Sequence, residues 1–155
     1  MKDPKGDMDT PEAFYKDEFH RYNLTNSQKK EIKAELAKVL KQVDKIKFAF
    51  LHGSFTEKGS FRDIDIAIFL KEELSGETGL DVCNRLSVKL TNQVGYPVDV
   101  NLLNTASLGF CYHAVQGQVL IYSEMEEVYQ FKEDIFIKYM DFYPFIKENL
   151  TDLLT

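Results

Sequence analysis

Asp63 and Asp65, one residue apart, and Asp99 further along are the side chains best placed to do chemistry. Residues i and i+2 of a strand share a face, so Asp63 and Asp65 stand side by side if Ile64, Ile66 and Ile68 point to a core. In the run VDVNL the same alternation sends Val98, Val100 and Leu102 inward and leaves Asp99 and Asn101 on the other face. Pairing of the two strands would put three carboxylates on one surface, an arrangement that repels itself unless a hard divalent cation with oxygen ligands sits among them. Mg²⁺ is the expected occupant, with two ions for a transfer reaction. Upstream, Gly53-Ser54 forms a turn at the end of an apolar run; glycine permits close backbone approach, and the turn N–H groups with the Ser54 hydroxyl can hold phosphate oxygens. A phosphate cradle beside metal-binding acids suits phosphoryl or nucleotidyl transfer.

These residues need a scaffold, and the pattern supplies one. Thr25 or Ser27 can cap a helix in which Ile32, Leu36, Val39, Leu40 and Val43 recur at helical spacing. Residues 46–53 (IKFAFLHG) and 64–70 (IDIAIFL) read as strands. Residues 79–92 read as a helix with Leu80, Val82, Cys83, Leu86 and Leu90 on one face, ended by Gly95. Strand 96–103, short helix 107–115 and edge strand 119–122 follow, and the chain is helical from Glu124, with Val128, Phe131, Ile135, Tyr139 and Phe142 along one side and a kink or break at Pro144. The order α, β, β, α, β, α, β, α predicts an α/β (α+β) fold, a mixed sheet of about four strands flanked by helices with a C-terminal helical extension. Residues 1–26 are expected to be a loosely ordered segment with a short docking helix, 27–123 the catalytic domain, and 124–155 an extension packed on it.

The run HGSFTEKGSFRDIDIAIFL with YPVDVNLL resembles the signature of the minimal nucleotidyltransferases (MNT) of the polymerase-β-like superfamily. The resemblance implies that fold, with Gly53 and Ser54 as the phosphate-binding turn, Asp63 and Asp65 as metal ligands and Asp99 as the third acid, and Lys58 and Arg62 as further nucleotide-binding residues. It implies transfer of a nucleoside monophosphate, AMP from ATP, to a hydroxyl. It also implies a role like that of antitoxins that modify a tyrosine of a HEPN-domain toxin. Alternatives are transfer to a small molecule of the aminoglycoside kind, or an antitoxin that acts by binding alone. Ser54 and Asp63 are separated by eight residues, fewer than that family usually has, and Arg62 stands where a serine is common.

Composition narrows the partners. The 155 residues are 44% hydrophobic and 28% charged, a globular balance, and 19 basic against 25 acidic side chains give −6, which disfavours long duplex nucleic acid. Two cysteines, Cys83 and Cys111, are too few for a disulfide framework and read as buried thiols in a reduced cytoplasm. No apolar run reaches membrane-spanning length. Seven lysines against three acids between residues 28 and 47 read as a solvated helix face. His20, His52 and His113 lack metal-ligand spacing, and His52 reads as a strand-end histidine with its hydrogen bonds satisfied. Residues 124–155 hold eight acids and three lysines among more aromatics than one buried stripe needs, so this helix is expected to carry an interface with a partner or a second copy.

Overall fold

The computed structural model describes residues 20–71 and 78–154. The docking helix expected near the N-terminus lies outside them up to residue 19.

Helix α1 (Asn26–Lys41) starts at Thr25, whose hydroxyl accepts from the Gln28 amide while Gln28 returns a bond to the Thr25 amide. Strands β1 (Ile46–His52) and β2 (Ile64–Leu70) follow, joined through a single 3₁₀ turn at Ser54–Thr56. Helix α2 (Gly79–Val94) is capped by Thr78 and ended by Gly95 in the left-handed conformation, φ +81°, which glycine adopts without a Cβ penalty. Strand β3 (Val98–Leu102), helix α3 (Leu108–Val115), strand β4 (Gln118–Tyr122) and helix α4 (Met125–Leu154) complete the chain.

The sheet order is β3-β2-β1-β4. Strand β1 pairs antiparallel with β2 and β4, while β2 pairs parallel with β3 across α2, so the sheet is mixed, as expected. One face packs under α1 and α2 around Leu36, Leu40, Leu51, Ile64, Ile66, Ile68, Val82, Leu86 and Leu90. The other packs under α3 and α4 around Phe48, Phe50, Ala67, Cys111, Val115, Val128 and Ile135. Burial on both faces explains why β1 and β2 are almost uninterrupted apolar runs, and why Asp65, the one charged residue of β2, stands out.

Two expectations need correction. Leu80 is 67% exposed in the first turn of α2, and Val94 closes the buried stripe instead. Pro144 does not interrupt α4, which runs through it to Leu154. A proline removes one hydrogen bond and crowds the carbonyl four residues earlier, which can bend a helix without ending it.

Candidate active site

The register of the central strands fixes the acids. His52 on β1 lies opposite Asp65 on β2, and Asp65 lies opposite Asp99 on β3, so the three side chains form a row across one face of the sheet. Asp63 precedes β2 by one residue and takes the same face as Asp65. Asp65 is half-buried and Asp99 exposed. Burial first, then the charges of Asp63 and Asp99, push the Asp65 carboxyl up to about 7. The acids therefore share a field, as the alternation of β2 and β3 required.

Above this row the chain turns at Gly53, with φ +78° and ψ −163°, a region open in practice to glycine alone. The Gly53 carbonyl accepts from the Thr56 amide at 3.1 Å and the Thr56 hydroxyl at 2.7 Å, which ties down the turn. A Cβ on Gly53 would fall on the Oδ2 atom of Asp65, so the turn and the most buried acid are in direct contact. Gly53 thus has two reasons to lack a side chain, its backbone angle and its neighbour.

The loop from this turn to Asp63 is fastened from outside. Lys29 of α1 donates to the carbonyls of Glu57 at 3.0 Å and Gly59 at 3.4 Å, and its ammonium lies over the rings of Phe55 and Phe61. Tyr22 and Phe61 exchange both backbone hydrogen bonds, and Arg21 bonds to Ser60 through its side chain. Spacing gave no sign of these partners, because they join stretches far apart in the chain.

Not every predicted residue joins the acids. Lys58 lines a separate cavity of about 330 Å³ with Lys29, Lys30 and Lys33 of α1 and Leu51, which belongs to the opposite face of the sheet. Arg62 is exposed next to Asp63. Among the described residues no three His, Cys, Asp or Glu side chains are gathered tightly enough to hold an ion as they stand. The acids repel one another, and Asn101 donates to Asp99 at 3.2 Å along β3. The donors still fit a hard cation, being carboxylates on one face with a crowded, partly desolvated member that burial and its acidic neighbours disfavour as a charge.

His52 also departs from expectation. It is 4% exposed, and among the described residues neither ring nitrogen has a hydrogen-bond partner. Burial, then His113, hold its pKa down at about 4 against a smaller opposing effect of Asp99. The ring packs edge-on against Phe110 at 5.5 Å and His113 at 5.7 Å. Cys83 and Cys111 are buried free thiols, as expected; burial and the Asp99 charge push Cys83 up to about 11, and burial raises Cys111.

A turn packed on Asp65 at the start of one strand, with Asp99 opposite it on the parallel neighbour, is the arrangement expected of a nucleotidyltransferase site. The chain belongs to the family described as "Polymerase beta, Nucleotidyltransferase", which matches residues 34–127. Among curated proteins none matches the chain. Solved structures do. A chain in the complex of a tri-AMPylated Shewanella oneidensis HEPN toxin with MNT antitoxin is 20% identical, with a TM-score of 0.67 over 82% of this chain and 99% of that one. A chain of the toxin-antitoxin MntA-HepT is 20% identical, with a TM-score of 0.65 over 81% and 99%. A toxin-antitoxin structure with AMP-PNP gives 21% and 0.67 over 79% and 98%. At these identities the likeness speaks for the fold, over nearly the whole of each matched chain.

Proposed function

We propose that the protein transfers AMP from ATP to a tyrosine hydroxyl of a HEPN-type toxin and thereby serves as its antitoxin. The observation that carries this reading is the register of Asp65 opposite Asp99 beneath the Gly53 turn, in a chain of this family. That the similar solved structures include an AMPylated HEPN toxin with its MNT antitoxin supports the choice of acceptor. Two buried free thiols and ATP as donor suit a cytoplasmic setting.

In this mechanism Gly53 and Ser54 hold the triphosphate through backbone N–H groups and the serine hydroxyl. Lys29 keeps the loop behind them in place through the Glu57 and Gly59 carbonyls. Asp63, Asp65 and Asp99 would hold Mg²⁺, which when bound neutralises phosphate charge and lowers the barrier to displacement. Asp99, the exposed member, accepts the proton of the incoming hydroxyl. The acceptor oxygen forms its bond to the α-phosphorus while the bond from that phosphorus to the bridging oxygen breaks, and pyrophosphate leaves with the electron pair. Lys58 and Arg62 remain candidates for the outer phosphates, Lys58 only if its side chain swings away from the α1 lysines.

The test is transfer of label from α-³²P-ATP with Mg²⁺ to a co-expressed HEPN partner. Label on a partner tyrosine is the expected result. Label only on an added small-molecule acceptor would favour the aminoglycoside kind of reaction, and toxin neutralisation without label would mean action by binding alone.

The acceptor must be brought to Asp99, and α4 is suited to do it. Ile137, Met140, Phe142, Tyr143 and Phe145 are between 49% and 61% exposed, among the acids that give residues 124–155 a balance of −5. Tyr139 is not part of this free face, because it stacks on Tyr112 with ring centroids 3.6 Å apart. Exposed aromatics within an acidic field make a contact for a partner with a basic face. Changing Phe142, Tyr143 and Phe145 together to Ser should weaken association by at least about tenfold, in keeping with the loss of interface anchors. ATP binding should persist. Unchanged association in pull-downs and light scattering, with the fold intact, would remove α4 from the interface.

A further inference from the structure

A histidine sealed from water with both ring nitrogens unpaired is costly, and native proteins keep few such groups without a use. His52 gains nothing from its position that an apolar side chain would not supply: Phe110 and His113 meet its ring edge-on, and the space around it is tight. A Cβ on Gly117 would lie 2.9 Å from the His52 Cβ and against the Leu51 carbonyl, so the turn between α3 and β4 closes over it. Its neighbour on the sheet is Asp65, directly opposite on the antiparallel strand and on the same face. Side chains so paired lie within reach of each other, about 4.5–5.5 Å between Cβ atoms.

We propose that His52 is a positioning residue for Asp65: when that carboxylate is charged and holds Mg²⁺, a ring N–H of His52 donates a hydrogen bond to it and fixes its orientation. The inference rests on the reading of Asp65 as a metal ligand. Carboxylates that bind metals are themselves commonly hydrogen-bonded from behind, and loss of such a partner weakens metal binding. The unpaired nitrogens then belong to the metal-free protein, and the bond that satisfies one of them forms as the site loads. His52 moves no proton in this role and touches neither substrate nor metal.

The test uses the full chain with a non-hydrolysable ATP analogue and follows thermal stabilisation as Mg²⁺ is titrated, alongside the ¹⁵N resonances of the His52 ring. In EDTA, His52→Phe should melt at or above the wild-type temperature, because it removes two unsatisfied polar atoms. With the analogue, its Mg²⁺ midpoint should rise by at least about tenfold. His52→Asn, which keeps an N–H donor, should stay within about threefold of wild type. In the wild type, one ring nitrogen should shift to a hydrogen-bonded position on loading. A Phe variant with the wild-type Mg²⁺ midpoint, or a wild-type ring whose resonances do not move, overturns the positioning role. Should the Phe variant fail to fold, the wild-type resonances decide. A wild type that gains no stability from Mg²⁺ and the analogue overturns the metal reading itself, which separates the two failures.

Discussion

Replacing Asp65 by Asn should abolish AMP transfer while making the metal-free protein more stable. The two effects have one source. Asp65 is the acid that burial and its neighbours Asp63 and Asp99 push up to about 7, so its charged form is disfavoured in the fold and needs a cation. Asn retains the shape and removes the charge. Transfer should fall by at least about a thousandfold, equivalent to roughly 4 kcal/mol of transition-state stabilisation. The stability gain depends on pH with a definite sign. Between the unfolded value of 3.8 and the folded value of about 7, the native state holds more protons than the unfolded chain, so wild-type stability falls as pH rises through that window and levels off above it. The advantage of Asp65→Asn in EDTA should thus be near zero at pH 4 and largest at pH 8, about 1–2 kcal/mol once solvent screening of this half-buried group is discounted. Thermal melts across that range check it, and an advantage that does not grow with pH would mean that Asp65 carries no strained charge.

Gly53→Ala should be almost as damaging, for a geometric reason. The backbone at Gly53 lies where side chains are excluded, at a cost of about 1–3 kcal/mol for any other residue. The added methyl also falls on the Asp65 carboxyl, so the turn and the acid cannot both keep their places. Lower stability and loss of Mg-ATP-induced stabilisation are expected together. Combining the change with Asp65→Ala separates the two contributions: the contact disappears, the backbone strain stays, and Gly53→Ala should cost less in that background. Equal costs in both backgrounds, from denaturant melts, would show that the turn and the acid are independent.

Much of this site is legible in the sequence because strands impose a period of two. Asp63, Asp65, Asp99 and Asn101 could be placed on one face from Ile64, Ile66, Val98 and Val100 alone, whereas the register Asp65 opposite Asp99 is supplied by the structure, because a shift of two residues would keep the same faces. The fold was legible for a similar reason, since Thr25 marks where α1 begins and Gly95 where α2 ends. What the sequence hid depends on contacts between distant stretches. Lys29 belongs to a basic helix face that reads as solvated, yet its ammonium holds two carbonyls of the loop. His52 looked like an ordinary strand end, and only the packing of α3 and the turn after it leaves its nitrogens unpaired among the described residues. Tyr139 falls on the side that its spacing assigned and stacks on Tyr112 of α3, whereas Phe142, assigned to the same side, is 52% exposed. Side-chain pairing of this kind has no period to betray it.

The two-way backbone bridge between Tyr22 and Phe61 has a consequence for how the protein comes apart. Phe61 sits two residues before Asp63, and the Arg21 contacts to Ser60 reinforce the bridge. The stretch leading to the first acid is therefore not free to open by itself; it opens when the chain preceding α1 peels away. Amide exchange at Tyr22 and Phe61 belongs to a single cooperative unit, slower than the short loop alone would give, and trimming the chain back to Thr25 would remove Tyr22 and release the Phe61 amide.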